Sequence, residues 1–137
     1  MVVQPYLFFE GRCEEAIEFY RKALGGEVTM LMRNKDSPQP PPAGSGMAAH
    51  PDKVMHATLR IGSTDLMASD GNCSGKPVFN GISLSLTVAS DAEAKRMFDA
   101  LAAGGSVHMP LTKTFFSPSF GMVADQFGVS WMVYVHA

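Results

Sequence analysis

The sequence predicts an α+β fold of two tandem βαβββ modules, and three observations predict it. The order strand, amphipathic helix, Gly-Gly pair, run of strands occurs over residues 3–70 and again over 81–136. The helix-ending pairs Gly25-Gly26 and Gly104-Gly105 lie 79 residues apart (104 minus 25), and each leads into a Val-x-Met step, Val28 to Met30 and Val107 to Met109. Apolar residues recur at helical spacing before each pair and alternate with polar ones in the strands that follow. The 137 residues are therefore expected to form a single domain of two modules, 1–70 and 81–137, sharing a concavity.

The first module opens with a short apolar strand, Tyr6-Leu7-Phe8-Phe9. A helix follows from about Cys13 to Leu24, with Cys13, Ala16, Ile17, Tyr20 and Leu24 on one stripe. Glu14 and Glu15 in its first turn, and Arg21 and Lys22 in its last, suit the helix dipole. Gly25 ends it, because glycine enters the left-handed region without a Cβ clash. Glu27–Arg33 is predicted as a strand. Residues 34–53 hold five of the nine prolines (Pro38, Pro40, Pro41, Pro42, Pro51) together with Gly44-Ser45-Gly46. Such a segment cannot build a ladder, so it is expected to be a long flexible loop, either a lid over a pocket or a tolerated insertion.

From Val54 to Ile61 the alternation puts Met55, Ala57, Leu59 and Ile61 on an apolar face and His56, Thr58 and Arg60 on a polar one. Gly62-Ser63 turns the chain into a strand over 65–69, and residues 70–81 form a linker. The second module opens with a strand over 82–88 whose one face carries Ser83, Ser85 and Thr87. Ser90 and Glu93 form a capping-box pattern, and Ala94, Met97, Phe98 and Leu101 make the helical stripe. Strands are expected near 106–109, 120–124 and 129–136. In the last of these, Trp131, Val133 and Val135 belong to the helix-facing side, and Met132 and Tyr134 to the cleft side.

Composition excludes several functions. A net charge of −2 provides no basic field for nucleic acid or an anionic membrane. No run of eighteen apolar residues and no signal-like start occurs, so no membrane association is expected. Cys13 and Cys73 lack ligand-type spacing, and free thiols in the cytoplasm are expected.

Pro5-Tyr6-Leu7, Cys13 to Ile17, Phe19-Tyr20, Ala57 through Asp70, Thr114-Phe115-Phe116, Phe120-Gly121 and Asp125 to Met132 together resemble the vicinal oxygen chelate superfamily. That superfamily includes glyoxalase I, extradiol dioxygenases, fosfomycin-resistance enzymes and bleomycin-binding proteins. Within it the chain is similar to the PhnB-like branch, over nearly its whole length. The resemblance implies the glyoxalase/bleomycin-resistance fold, with a concave sheet cleft, helices outside, and a homodimer. It also implies a divalent metal held by His, Gln or Glu from the first and last strands of each module. Counted onto this chain, those positions fall near Pro5, Met67 and Met132, and at Ile82 or Ser83. Pro, Met and Ile supply neither hard oxygen nor imidazole, and a one-residue slip admits only Gln4 and Ser83. The metal site is therefore expected to be lost, and no cofactor is expected. Two thioethers are of a kind that binds copper(I), but methionine is more often a flexible core filler.

Some PhnB-like sequences carry a demethylubiquinone methyltransferase label. No glycine-rich strand-to-helix turn for a methyl donor is present, and Gly44-Ser45-Gly46 lies in the proline segment. The expected function is binding of a small amphipathic or aromatic molecule in a cleft lined by His56, Met67, Ser69, Ser83, Ser85, Met132 and Tyr134. Phe115, Phe116 and Phe120, flanking Ser117-Pro118-Ser119, would close over it. His56 is read either as a base or ligand contact or as a histidine bonded within its sheet. Asp70 and Asp125 are read as turn residues bonding their own backbone. Two alternatives remain. One is a glyoxalase- or dioxygenase-type enzyme with a displaced metal site using Gln4 and His56. The other is a dimeric scaffold without a ligand.

Overall fold

The computed structural model describes residues 1–136 as two compact units, Met1–Pro77 and a second from Val78 onward. The first contains β1 (Tyr6–Phe8), α1 (Cys13–Leu24), β2 (Glu27–Arg33), α2 (Gly46–Ala49), β3 (Val54–Ile61) and β4 (Thr64–Ser69). The second contains β5 (Leu84–Val88), α3 (Asp91–Ala102), β6 (Ser106–Thr112), β7 (Phe120–Ala124) and β8 (Ser130–Val135). The strand orders, β1-β4-β3-β2 and β5-β8-β7-β6, are the same arrangement used twice. In each sheet the first strand runs parallel to the last and the remaining pairs are antiparallel.

The helices form where the stripes lie. α1 buries Cys13, Ala16, Ile17, Tyr20, Ala23 and Leu24, and ends on Gly25 at φ 71°. Leu7, Ala57, Leu59, Leu66 and Ala68 are buried in the same unit. α3 is capped by the Ser90 hydroxyl, which accepts from the Glu93 amide at 3.2 Å. The Glu93 carboxylate reaches back to the Ala89 amide at 3.5 Å. Ala94, Met97, Phe98 and Leu101 of α3 are buried, as are Val123, Trp131, Val133 and Val135 of its sheet. Gly121 permits this packing, since a Cβ there would lie 2.7 Å from the Phe98 ring.

The Gly-Gly pairs divide their work. Gly25 and Gly104 take left-handed conformations (φ 71° and 76°) that leave the helix. Gly26 and Gly105 instead pass close to the neighbouring strand: a Cβ would lie 3.1 Å from the Arg60 carbonyl oxygen at one and 2.1 Å from the Ala124 carbonyl oxygen at the other. These contacts are equivalent, because Glu27 pairs with Arg60 and Ser106 with Ala124. Each Val-x-Met step is a bulge. Val28 and Met30 face the consecutive residues Leu59 and Thr58, and Val107 and Met109 face Val123 and Met122, so Thr29 and His108 are the extra residues. The strand after His108 runs to Thr112, beyond the expected end. It passes through Pro110, which is tolerated because β6 lies at the sheet edge.

The segment 34–53, expected as a structureless loop, carries a 3-10 turn at Asn34–Asp36 and the short helix α2. Ser45 caps α2 through the Ala48 amide, and the Gly46 amide donates to Asn72 Oδ1 at 3.1 Å. The Asn34 side-chain amide donates to the His50 carbonyl at 2.8 Å, and Lys35 pairs with Asp52 at 2.8 Å. Local caps and tethers to the 70–73 turn thus supply the order that apolar surface could not.

Both cysteines are free thiols, Cys13 buried and Cys73 partly exposed. Burial, with Asp70 nearby, pushes the Cys13 thiol far above its ordinary value, and Cys73 is raised for the same reasons to a lesser depth of burial. A thiol-disulfide reagent should therefore titrate one thiol per native chain, at Cys73, and the second only in denaturant. Rapid native labelling at Cys13, mapped by peptide mass spectrometry, would contradict the packing of α1.

Candidate functional site

In the second sheet the period-two alternation separates two chemistries. Trp131, Val133 and Val135 are buried, while Met132 and Tyr134 between them are only half-buried. Ser85 pairs with Met132 and Thr87 with Tyr134, so these side chains share the face opposite the buried one. Phe120 pairs with Tyr134 from the other side. Ser85, Phe116, Phe120, Met132, Tyr134 and His136 line a cavity of about 330 Å³. Five of these, Ser85, Phe116, Phe120, Met132 and Tyr134, are residues that the sequence singled out.

The aromatic segment is built by hydroxyl bonds that the sequence reading passed over. Thr114 Oγ1 accepts from the amides of Phe116 and Ser117 at 3.3 and 3.0 Å. Ser117 is 3% exposed, and its hydroxyl donates to the Val135 carbonyl at 2.6 Å, shared with the Ser119 carbonyl at 2.8 Å. This pins the turn to β8 and sets Phe116 edge-on to Phe120, with centroids 5.1 Å apart. The Ser-Pro-Ser spacing was the available signal, since such hydroxyls close turns on nearby backbone. Phe115, expected to close over a ligand, is fully exposed and contacts Phe116 edge-on at 5.1 Å. Ser83 lies outside β5, and its hydroxyl bonds that of Ser130 at 3.0 Å.

The first sheet presents its own open face. Tyr6 pairs with Met67, Met67 with Thr58, and Thr58 with Met30; Met32 pairs with His56. His56 bonds the Tyr6 hydroxyl at 2.9 Å through Nδ1 and the Thr58 hydroxyl at 3.1 Å through Nε2. Both ring nitrogens are thus engaged by neighbours on its own sheet. Ser69 is only 4% exposed, and its hydroxyl accepts from the Gly71 amide, a turn contact rather than an open lining position.

The two acidic turn residues differ. Asp125 behaves as expected, accepting from the Phe127 and Val129 amides, and it also takes the Trp131 indole N–H at 2.9 Å. Asp70 does not bond its own turn with its carboxylate. Its oxygens accept from the amides of Gly11, Cys13 and Val54 at 2.9, 2.8 and 2.7 Å, which caps α1 from 57 residues away. A larger cavity of about 400 Å³ beside this cap includes Glu14, Arg33 and Lys53. The three are bonded within the unit: Arg33 donates to both Glu14 oxygens at 3.0 and 2.8 Å, and Lys53 to the Gly11 carbonyl at 2.8 Å. The Arg33 guanidinium holds the Glu14 carboxyl below the usual carboxylate range.

Two of the positions that the resemblance assigns to metal ligands, Met67 and Met132, can be compared by register. Met67 and Met132 occupy the same place in the two sheets, each on the last strand beside the parallel first strand. Their partners on those first strands are Tyr6 and Ser85. Thioethers and neutral hydroxyls do not fit a hard divalent ion. Among the described residues, no group of three or more His, Cys, Asp or Glu could hold a metal.

The repeated sheet-and-helix arrangement defines a protein of the vicinal oxygen chelate superfamily. More narrowly, the chain belongs to the family described as 3-demethylubiquinone-9 3-methyltransferase, whose model matches residues 2–134. It is similar to Protein YjdN of Escherichia coli (strain K12), 39% identical over 142 residues, covering 98% of this chain and 95% of that protein. It is also similar to the crystal structure of protein PA1353 from Pseudomonas aeruginosa, with 46% identity, TM-score 0.84, and 99% and 98% of the two chains covered. A Bacillus cereus PhnB protein, also described as a 3-demethylubiquinone-9 3-methyltransferase, matches at 27% identity and TM-score 0.80 over 98% and 99%. A glyoxalase-related enzyme from Fulvimarina pelagi shares the fold alone, with 19% identity and TM-score 0.63 over 99% and 88%.

Proposed function

We propose that this protein binds a small amphipathic or aromatic molecule on the open face of its second unit, without the divalent ion of its superfamily. The observation that carries the reading is the cavity of about 330 Å³, where aromatic rings, the Met132 thioether and the Ser85 hydroxyl converge. Thioethers at Met67 and Met132, beside the neutral hydroxyls of their register partners Tyr6 and Ser85, support the metal-free part. The methyltransferase description of the family is not carried over. Gly44-Ser45-Gly46 leads into a helix of four residues rather than following a strand, so it is no cradle for a methyl donor. A cytoplasmic homodimer is part of the proposal. Its support is the family resemblance and exposed apolar side chains such as Phe8, and its check is the mass in solution. Among the described residues, no helix is long and apolar enough to cross a membrane.

The test is a screen of small aromatic compounds read by fluorescence of Trp131, the single tryptophan, which neighbours Met132 in β8. Hits should weaken about ten- to a hundredfold in Phe120→Ala, since that variant removes a ring and its edge-on partner contact. Unchanged affinity in that variant would place the binding elsewhere. Elemental analysis of the purified protein tests the other half. Stoichiometric Zn, Ni, Mn or Fe that resists dialysis would overturn the metal-free reading.

A further inference from the structure

The chain has ten methionines, an unusually large number, and only Met97 belongs to the buried core. The cleft-side placement expected for Met67 and Met132 thus extends to most of the chain's methionines. Met109, Met122 and Met132 stand in one cross-strand row on the open face of the second sheet, Met109 against Met122 and Met122 against Met132. Met30, Met32 and Met67 stand on the corresponding face of the first. The opposite, buried faces use Leu59, Leu66, Val123, Val133 and Val135 instead. Strand propensity does not ask for this division, since β-branched residues suit either face of a pleated strand. Met109 is 40% exposed, and Met122 and Met132 are half-buried, so the row is not closed off by α3.

Methionine has three freely rotating side-chain bonds and a polarisable sulfur, so a surface paved with it re-packs around differently shaped ligands. Branched aliphatic side chains, locked at χ1, cannot do this. Of the row, Met132 lines the cavity, and Met122 and Met109 continue from it across the open face. We propose that the site is one of broad specificity, taking apolar and aromatic molecules of differing outline at similar affinity, with Met132 and the neighbouring Met122 and Met109 as its adaptable floor. The inference rests on the ligand-binding reading above and adds the breadth of its ligand class. The hydroxyls of Ser85 and Tyr134 at the cavity then orient a ligand oxygen without selecting its ring system.

The experiment uses the full chain and four probes of different outline: 8-anilinonaphthalene-1-sulfonate, 2-naphthol, indole and decanoate. Affinities are measured by calorimetry, and each probe is tested for displacement of the first. The expected result is mutual displacement with dissociation constants within about tenfold of one another. In Met122→Ile/Met132→Ile the spread should widen to about a hundredfold or more, because the floor can no longer re-pack. Met109→Ile alone, at an exposed edge-strand position compatible with folding, should widen it in the same direction. A wild-type spread beyond about a hundredfold would overturn broad specificity while leaving ligand binding intact. Binding of none of the probes, nor of any screened compound, would remove the ligand reading itself. An unchanged narrow spread in the isoleucine variants would show that the methionines are not its source.

Discussion

Replacing Asp70 by Asn is expected to lower the unfolding free energy by about 1–3 kcal/mol, and replacing it by Ala by more. The carboxylate is 1% exposed and accepts three backbone amides, those of Gly11, Cys13 and Val54. Arg12, at the N-cap position of α1, makes no side-chain cap, so Asp70 is what satisfies that end of the helix. Asparagine preserves the shape and one acceptor oxygen, but it turns an N–H against one of the three donors. Val54, bonded through the second oxygen at 2.7 Å, is the amide expected to lose its partner. A buried unsatisfied donor costs about 1–3 kcal/mol. Alanine removes all three bonds and should cost about 3–5 kcal/mol. Urea unfolding followed by circular dichroism measures both. A loss below about 1 kcal/mol in the alanine variant would mean that the helix end is satisfied by water. The site itself should be little affected in the surviving folded fraction, because Asp70 belongs to the first unit and the cavity to the second.

Gly105→Ala is expected to be comparably damaging, and far worse than Gly26→Ala, although the two glycines hold equivalent positions in the repeat. At Gly105 a Cβ would stand 2.1 Å from the Ala124 carbonyl oxygen and 2.9 Å from Asp125 backbone atoms. Nothing there can rotate away, so β6 must separate from β7 at the start of the ladder. At Gly26 the nearest atom is Leu59 Cδ1 at 3.0 Å, the end of a flexible side chain, with the Arg60 oxygen at 3.1 Å. Small adjustments should absorb that contact at about 1 kcal/mol, whereas forcing backbone apart should cost about 3 kcal/mol or more. Thermal unfolding of the two variants side by side gives the comparison. Equal melting temperatures would show that the second sheet opens more easily than its geometry implies. Because Ala124 precedes Asp125, the Gly105 variant should also disturb the Trp131–Asp125 bond, which a shift in tryptophan emission would report.

The chain carries its architecture in local patterns. Cys13–Leu24 is helical over the span that its stripe predicted, and Glu27–Arg33 and Val54–Ile61 are strands over theirs. Period-two alternation was enough to put Met132 and Tyr134 on one face and Trp131 and Val133 on the other. Ser85, Phe120, Met132 and Tyr134 could therefore be named as lining residues before any pairing was known. The repeated Gly-Gly and Val-x-Met signals were visible too, and the first glycine of each pair could be read as the helix stop, but not the use of the second. That the second glycine clears the next strand depends on where β3 and β7 lie. That the Val-x-Met step is a bulge depends on the register with those same strands.

Other features depended wholly on contacts distant in sequence. Asp70 is an ordinary turn residue until α1 is brought against it from 57 residues away. Ser117 is an ordinary loop serine until β8 supplies the Val135 carbonyl. Methionine at strand positions is chemically neutral about inside and outside, so outside the clear alternation around Met132 only the packed sheets show that Met30, Met109 and Met122 leave the interior. Sequence by itself determined the two long helices, most strands, their repetition and the faces of the alternating strands, because helix and strand periodicities are properties of the local backbone. Tertiary structure alone decided which polar groups find distant amides, which steps become bulges and where a cavity opens. Those outcomes turn on pairing non-consecutive strands, β1 with β4 and β5 with β8, and no local period encodes that choice.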